Sequence, residues 1–96
     1  ATVYLYDFVG SDGWGGGVDA KQFVRELTEI KAATIHLRIN SPGGDVFDGR
    51  AMATAIRQHG SRMIAHVDGL AASAASVIAL AANEVEMAPG AMMMIH

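Results

Sequence analysis

Asp68-Gly69-Leu70-Ala71-Ala72-Ser73-Ala74 is the stretch on which the reading of this chain turns. The apolar and β-branched run Met63-Ile64-Ala65-His66-Val67 leads into it, and the alanine-rich run Ala71 to Ala82 leads out. The first has strand character and the second has helical character. A strand that turns at a glycine and enters a helix presents a serine hydroxyl at the helix N-terminus. Unpaired N–H groups and the helix dipole favour negative charge there. The nucleophile elbow of other hydrolases uses the same strand–turn–helix geometry. Taken alone, the stretch reads more simply as a tightly packed helix start in which Ser73 is one more small residue. The flanking chain has to decide.

Upstream, Thr34-Ile35-His36-Leu37-Arg38-Ile39 alternates as a strand and ends at Asn40. Ser41-Pro42-Gly43-Gly44-Asp45 is a turn, because proline and glycine interrupt the strand. Val46 to His59 reads as a helix with Val46, Ala53 and Ile56 on its apolar side, stopped at Gly60. Before it, Asp19 to Ala32 reads as an amphipathic helix with Phe23, Leu27 and Ile30 at helical spacing. Thr2 to Val9 opens the chain as a strand. Gly10 to Gly17 is a glycine-rich loop, with Trp14 as an exposed contact residue. No Gly-Lys-Ser/Thr follows it, which argues against a phosphate-binding P-loop. Downstream, Glu84 to Ala88 and Ala91 to Ile95 are short strands divided by Pro89-Gly90. The alternation of strands and helices predicts an α/β domain with a mostly parallel sheet. Both strand-to-helix turns, at Ser41–Asp45 and Asp68–Ser73, then fall on the carboxyl edge, where open α/β sheets build their sites.

The 96 residues fit one small domain, and 51% apolar content is enough for a core. That content in so short a chain also suggests apolar contact with another subunit. A net charge of −3 with no basic run gives no footprint for nucleic acid. The absence of cysteine excludes disulfides, thiolate metal sites and a cysteine nucleophile. No signal peptide is read at the N-terminus. The longest apolar run, Ala71 to Ala82, is too short to span a bilayer. A cytoplasmic protein with no membrane or nucleic-acid partner is expected.

Three pieces converge on one chemistry. Ser73 sits at a strand-to-helix turn. Gly43-Gly44 lets backbone N–H groups approach a developing oxyanion. His96, ending the apolar run Met92-Met93-Met94-Ile95, is placed to act as a general base. Ser76, one helical turn beyond Ser73, reads as a packing residue. Asp45 and Asp48 read as caps of the helix that follows them. His36, His59 and His66 have no partner at a metal-ligand spacing and read as structural or surface residues. Met92 to Met94 reads as strand core or groove lining. No metal or organic cofactor is expected.

Asn40-Ser41-Pro42-Gly43-Gly44, Gly69-Leu70-Ala71-Ala72-Ser73 and Met94-Ile95-His96 together resemble the three signature stretches of the Clp protease proteolytic subunit. The wording Ser-Pro-Gly-Gly-Asp-Val-Phe-Asp-Gly and Val-Asp-Gly-Leu-Ala-Ala-Ser-Ala-Ala-Ser is most similar to the phage and prophage branch, the Clp-like head maturation proteases. The resemblance covers nearly the whole chain from Thr2. It implies a crotonase-like fold, a spiral of β-β-α units. It implies a serine endopeptidase with Ser73 as nucleophile, His96 as general base, and the N–H groups of Gly44 and Ala74 as oxyanion hole. It further implies a homo-oligomeric ring acting on polypeptides, with capsid or scaffold proteins as substrates for a phage-type member. In that family the triad acid lies downstream of the histidine. Residues 1–96 are therefore expected to form a single Clp-protease-like domain, the N-terminal part of a longer catalytic domain.

Three rival readings remain. A crotonase-like acyl-CoA enzyme would use the paired N–H groups but would not need Ser73 and His96. A catalytically inactive structural or assembly protein of the same fold would bind peptide without cleaving it. Serine–lysine hydrolysis is disfavoured because Lys21 and Lys31 fall in or beside the first helix, away from the carboxyl edge.

Overall fold

Ile35, Leu37 and Ile39 are buried, while His36 and Arg38 between them are half-exposed. This period of two places one face of the strand against a core and the other toward solvent. The computed structural model describes residues 1–95. Its elements run β1 (Thr2–Leu5), α1 (Ala20–Glu29), β2 (Thr34–Ser41), α2 (Val46–Gln58), β3 (Arg62–Ala72), α3 (Ala74–Leu80), β4 (Glu84–Met87) and β5 (Met92–Met94).

The strands form one five-stranded sheet in the order β1-β2-β3-β4, with β5 also pairing β3. Every pairing is parallel. Parallel neighbours need a crossover between them, and α1, α2 and α3 supply three of these. Val3, Leu5, Ile35, Leu37, Ile39, Met63, Ala65 and Val67 point to the helices and share one core with Phe23, Leu27, Met52, Ile56 and Ile78. Tyr4, Tyr6, His36, Arg38, His66 and Asp68 alternate onto the opposite face, which carries no helix among the described residues. No helix among the described residues is long and apolar enough to cross a membrane.

The α/β architecture with a parallel sheet is thus the one expected, with informative differences at the element ends. β1 stops at Leu5 rather than Val9, and Val9 instead bridges Val18 and Gly44. β3 continues past Val67 to Ala72, and α3 starts only at Ala74. Leu70, Ala71 and Ala72 pair with Met92, Met93 and Met94 of β5, so the ladder overrides the helix preference of alanine. The sharp turn accordingly falls on Ser73 and not on Gly69. Gly69 instead leaves room for Asn40, whose Oδ1 accepts the Leu70 N–H at 3.1 Å. Met93 packs on the core, whereas Met92 and Met94 are exposed.

Candidate active site

Ser73 is the one non-glycine residue among those described with a positive φ, at φ 53° and ψ −121°. Residues held in such sparsely populated regions cost about 1–3 kcal/mol and persist only where their surroundings enforce them. Here β5 enforces it from one side, since the Ser73 N–H donates to the Met94 carbonyl at 2.8 Å. α3 enforces it from the other. The Ser73 carbonyl accepts the Ser76 N–H at 2.9 Å and the Ser76 hydroxyl at 2.6 Å. Ser76 is buried and occupied with that bond, as its packing role requires. The Ser73 hydroxyl caps nothing at the start of α3.

The Gly43-Gly44 turn comes up against this elbow. β2 and β3 lie side by side in parallel, with Ser41 opposite Ala71, so their carboxyl ends meet. Gly43 has φ +97°, and a Cβ on it would lie 3.2 Å from the Ala74 nitrogen. Val9 clips the turn from outside. Its N–H donates to the Gly43 carbonyl at 2.7 Å and its carbonyl accepts the Asp45 N–H at 2.8 Å. A side chain on Gly44, at φ +149°, would fall 2.1 Å from the Val9 carbonyl oxygen. Backbone donors are left over here. Neither the Gly44 N–H nor the Ala74 N–H has an acceptor among the described residues. The second is an orphan of the α3 N-terminus. Gly49 lets α2 approach closely, since a Cβ there would meet the Ala74 Cβ at 2.9 Å.

A cavity of about 200 Å³ opens beside Ser73, walled by Val46, Val77 and Ile95. Val46 is therefore not part of the α2 core stripe as expected. It is half-exposed at the cavity rim, and Met52, Ala53 and Ile56 form the buried stripe. Arg50 also lines this cavity and was not singled out by the sequence reading. Its signal was there in the spacing, because Val46, Gly49 and Arg50 share one helix face at i, i+3 and i+4. His96, the expected base, lies outside the described residues.

The acids sit elsewhere. The Asp45 carboxylate accepts the Asp48 N–H at 2.8 Å and caps α2, with Asp48 in the first turn. Asp68 faces the helix-free side of the sheet. It accepts Arg38 Nε at 2.9 Å and Nη2 at 2.6 Å, and it also accepts the Tyr6 hydroxyl. The Arg38 bonds, with help from Tyr6, hold the Asp68 carboxyl below its ordinary range. The bond to Asp68 raises the Tyr6 phenol above its own. On the same face, His36 Nδ1 and His66 Nε2 lie 2.8 Å apart, and His66 Nδ1 lies 3.5 Å from Glu86. The sequence reading treated these histidines separately. Only the β2–β3 register, which sets Arg38 opposite His66, brings the two rings together. No group of three or more acidic or imidazole side chains among the described residues is arranged to hold a metal ion.

Comparison with known structures finds the same arrangement of elements in solved proteins. The ClpP protease catalytic domain from Plasmodium falciparum is 28% identical and superposes with a TM-score of 0.83, over 99% of this chain and 53% of that one. A ClpP1 mutant from Listeria monocytogenes is 26% identical with a TM-score of 0.80, over 99% of this chain and 55% of that one. The chain thus spans about half the length of these neighbours. A putative enoyl-CoA hydratase from Streptomyces coelicolor, 21% identical with a TM-score of 0.70 over 96% of this chain and 43% of that one, shares the fold. That likeness marks the fold as crotonase-like. No curated protein matches the chain in sequence. The Clp protease family model matches residues 18–96. The match takes in the Gly43-Gly44 turn, the Ser73 elbow and His96, and the chain belongs to the Clp protease family.

Proposed function

We propose that this chain is the catalytic part of a serine endopeptidase that hydrolyses peptide bonds through an acyl-enzyme. The observation that carries the reading is the strained Ser73 elbow, set against a glycine turn with unpaired N–H groups at Gly44 and Ala74. The Ser73 hydroxyl attacks the peptide carbonyl and His96 takes its proton. The Gly44 and Ala74 N–H groups donate to the oxyanion. His96 then returns the proton to the leaving amine, and the C–N bond breaks. In the second half, His96 deprotonates water, which attacks the ester and releases Ser73. Each oxyanion donor contributes roughly two to three decades in rate. In the Clp family the acid that orients the histidine lies downstream of it, and here Asp45 caps α2 while Asp68 is engaged by Arg38 and Tyr6.

The family's rings of identical subunits support an oligomeric parent acting on polypeptides inside the cell. The wording of the Ser41 and Ser73 stretches supports the head maturation branch, with capsid or scaffold proteins as substrates.

The test is labelling with a serine-reactive fluorophosphonate on the longest form of the protein, followed by peptide mapping. An adduct on Ser73 is expected. An adduct on Ser76 would keep a hydrolase and move its site. A folded, full-length parent that takes no label would overturn the reading in favour of a catalytically inactive, peptide-binding assembly protein.

A further inference from the structure

The cavity beside Ser73 has one charged wall. Val46, Ala74, Val77 and Ile95 make it largely apolar, and Arg50 is the sole ionisable residue among the described residues that line it. At about 200 Å³ it is smaller than the roughly 300–1,000 Å³ of pockets that hold drug-sized molecules, so it suits a single side chain. The other arginines with a structural task show it: Arg38 pairs with Asp68 at 2.6 Å and Arg62 with Glu84 at 2.7 Å. Arg50 has no ion-pair partner among the described residues. It also lies in the N-terminal half of α2, where the helix dipole gives no reason for a cation.

We propose that Arg50 sets the specificity of this pocket for an acidic side chain, glutamate in particular, on the substrate residue that supplies the scissile carbonyl. The inference rests on the peptidase reading of Ser73. A guanidinium offers a carboxylate two parallel N–H donors and stays charged at any working pH. The methylenes of glutamate suit the valine and isoleucine walls. Glutamine matches the shape and lacks the charge. Lysine or arginine meets like charge. Arg50 is exposed, so solvent screens the pair, and the preference for glutamate over glutamine is expected at about tenfold.

The test uses peptidyl diphenyl phosphonates on the longest form of the protein. The residue attached to phosphorus carries a glutamate, glutamine, leucine or lysine side chain, and the non-peptidic fluorophosphonate serves as control. The glutamate probe should modify Ser73 about ten times faster than the glutamine probe. Arg50→Gln should bring that ratio to about one, and Arg50→Glu should reverse it in favour of the lysine probe. Circular dichroism confirms that both variants fold. Equal rates for glutamate and glutamine in the native protein, or a ratio that survives Arg50→Gln, would overturn the assignment while leaving Ser73 a nucleophile. Failure of every probe, fluorophosphonate included, would remove the peptidase reading and this specificity with it.

Discussion

The backbone of Gly43 lies so close to Ser73 that a Cβ atom added to Gly43 would stand 2.9 Å from the Cβ of Ser73 and 2.6 Å from the Ala72 carbonyl oxygen. The turn after β2 and the elbow after β3 are therefore one contact. Gly43→Ala would push them apart and would also place a side chain at φ +97°. Strain and overpacking together should destabilise the fold by about 2–4 kcal/mol. A urea titration reads that loss, and fluorophosphonate labelling of Ser73 should fall in the fraction that still folds. A variant with the native midpoint and native labelling would mean that the two turns are not in contact.

Ser73 carries backbone strain that its side chain does nothing to relieve. Ser73→Gly removes the steric conflict at φ 53° and loses no capping bond. It should raise stability by about 1 kcal/mol, after allowance for the extra freedom of glycine in the unfolded chain. Ser73→Ala keeps the Cβ and should leave stability near the native value. Both lose the label. Equal denaturation midpoints for the glycine and alanine variants would show that the elbow is unstrained.

Asp68 of β3 holds Arg38 of β2 and Tyr6, the residue that follows β1. Its carboxyl is held below the ordinary range, chiefly by Arg38. A depressed folded-state value means that the unfolded chain takes up the proton first. The Asp68 contribution is thus complete above the unfolded carboxylate value of about 3.9, and it is lost as the pH falls below that toward the folded value. The Tm difference between the native protein and Asp68→Asn should be constant near neutrality and close in acid. A gap that stays open down to pH 2 would assign the loss to packing and not to charge.

The order of elements and the carboxyl-edge placement of both turns were legible because periodicity and glycine–proline punctuation are local signals. Phe23 and Leu27 at helical spacing, and Ile35, Leu37 and Ile39 in alternation, fell where their periods put them. What stayed hidden depended on register. Ala71 and Ala72 favour helix by composition, yet they lie in β3 because Met93 and Met94 come alongside. The approach of His36 to His66 needs the β2–β3 pairing, which nothing in either segment encodes by itself. Arg50 was overlooked for a related reason. A lone arginine on an amphipathic helix looks like solvated surface until α3 is brought against α2 and the cavity closes around Gly49.

The bond from the Ser73 N–H to the Met94 carbonyl also sets an order in time. A chain leaves the ribosome N-terminus first. β1, β2 and β3 with their helices have all emerged before the segment that fastens the elbow. Until Met94 arrives, the Ser73 backbone has only the restraint from α3, through Ser76, and lacks the one from β5. A nascent chain can thus expose its serine without presenting it. The geometry that makes Ser73 distinctive is among the last things completed as these residues are synthesised, which delays the strained elbow until the sheet around it has formed.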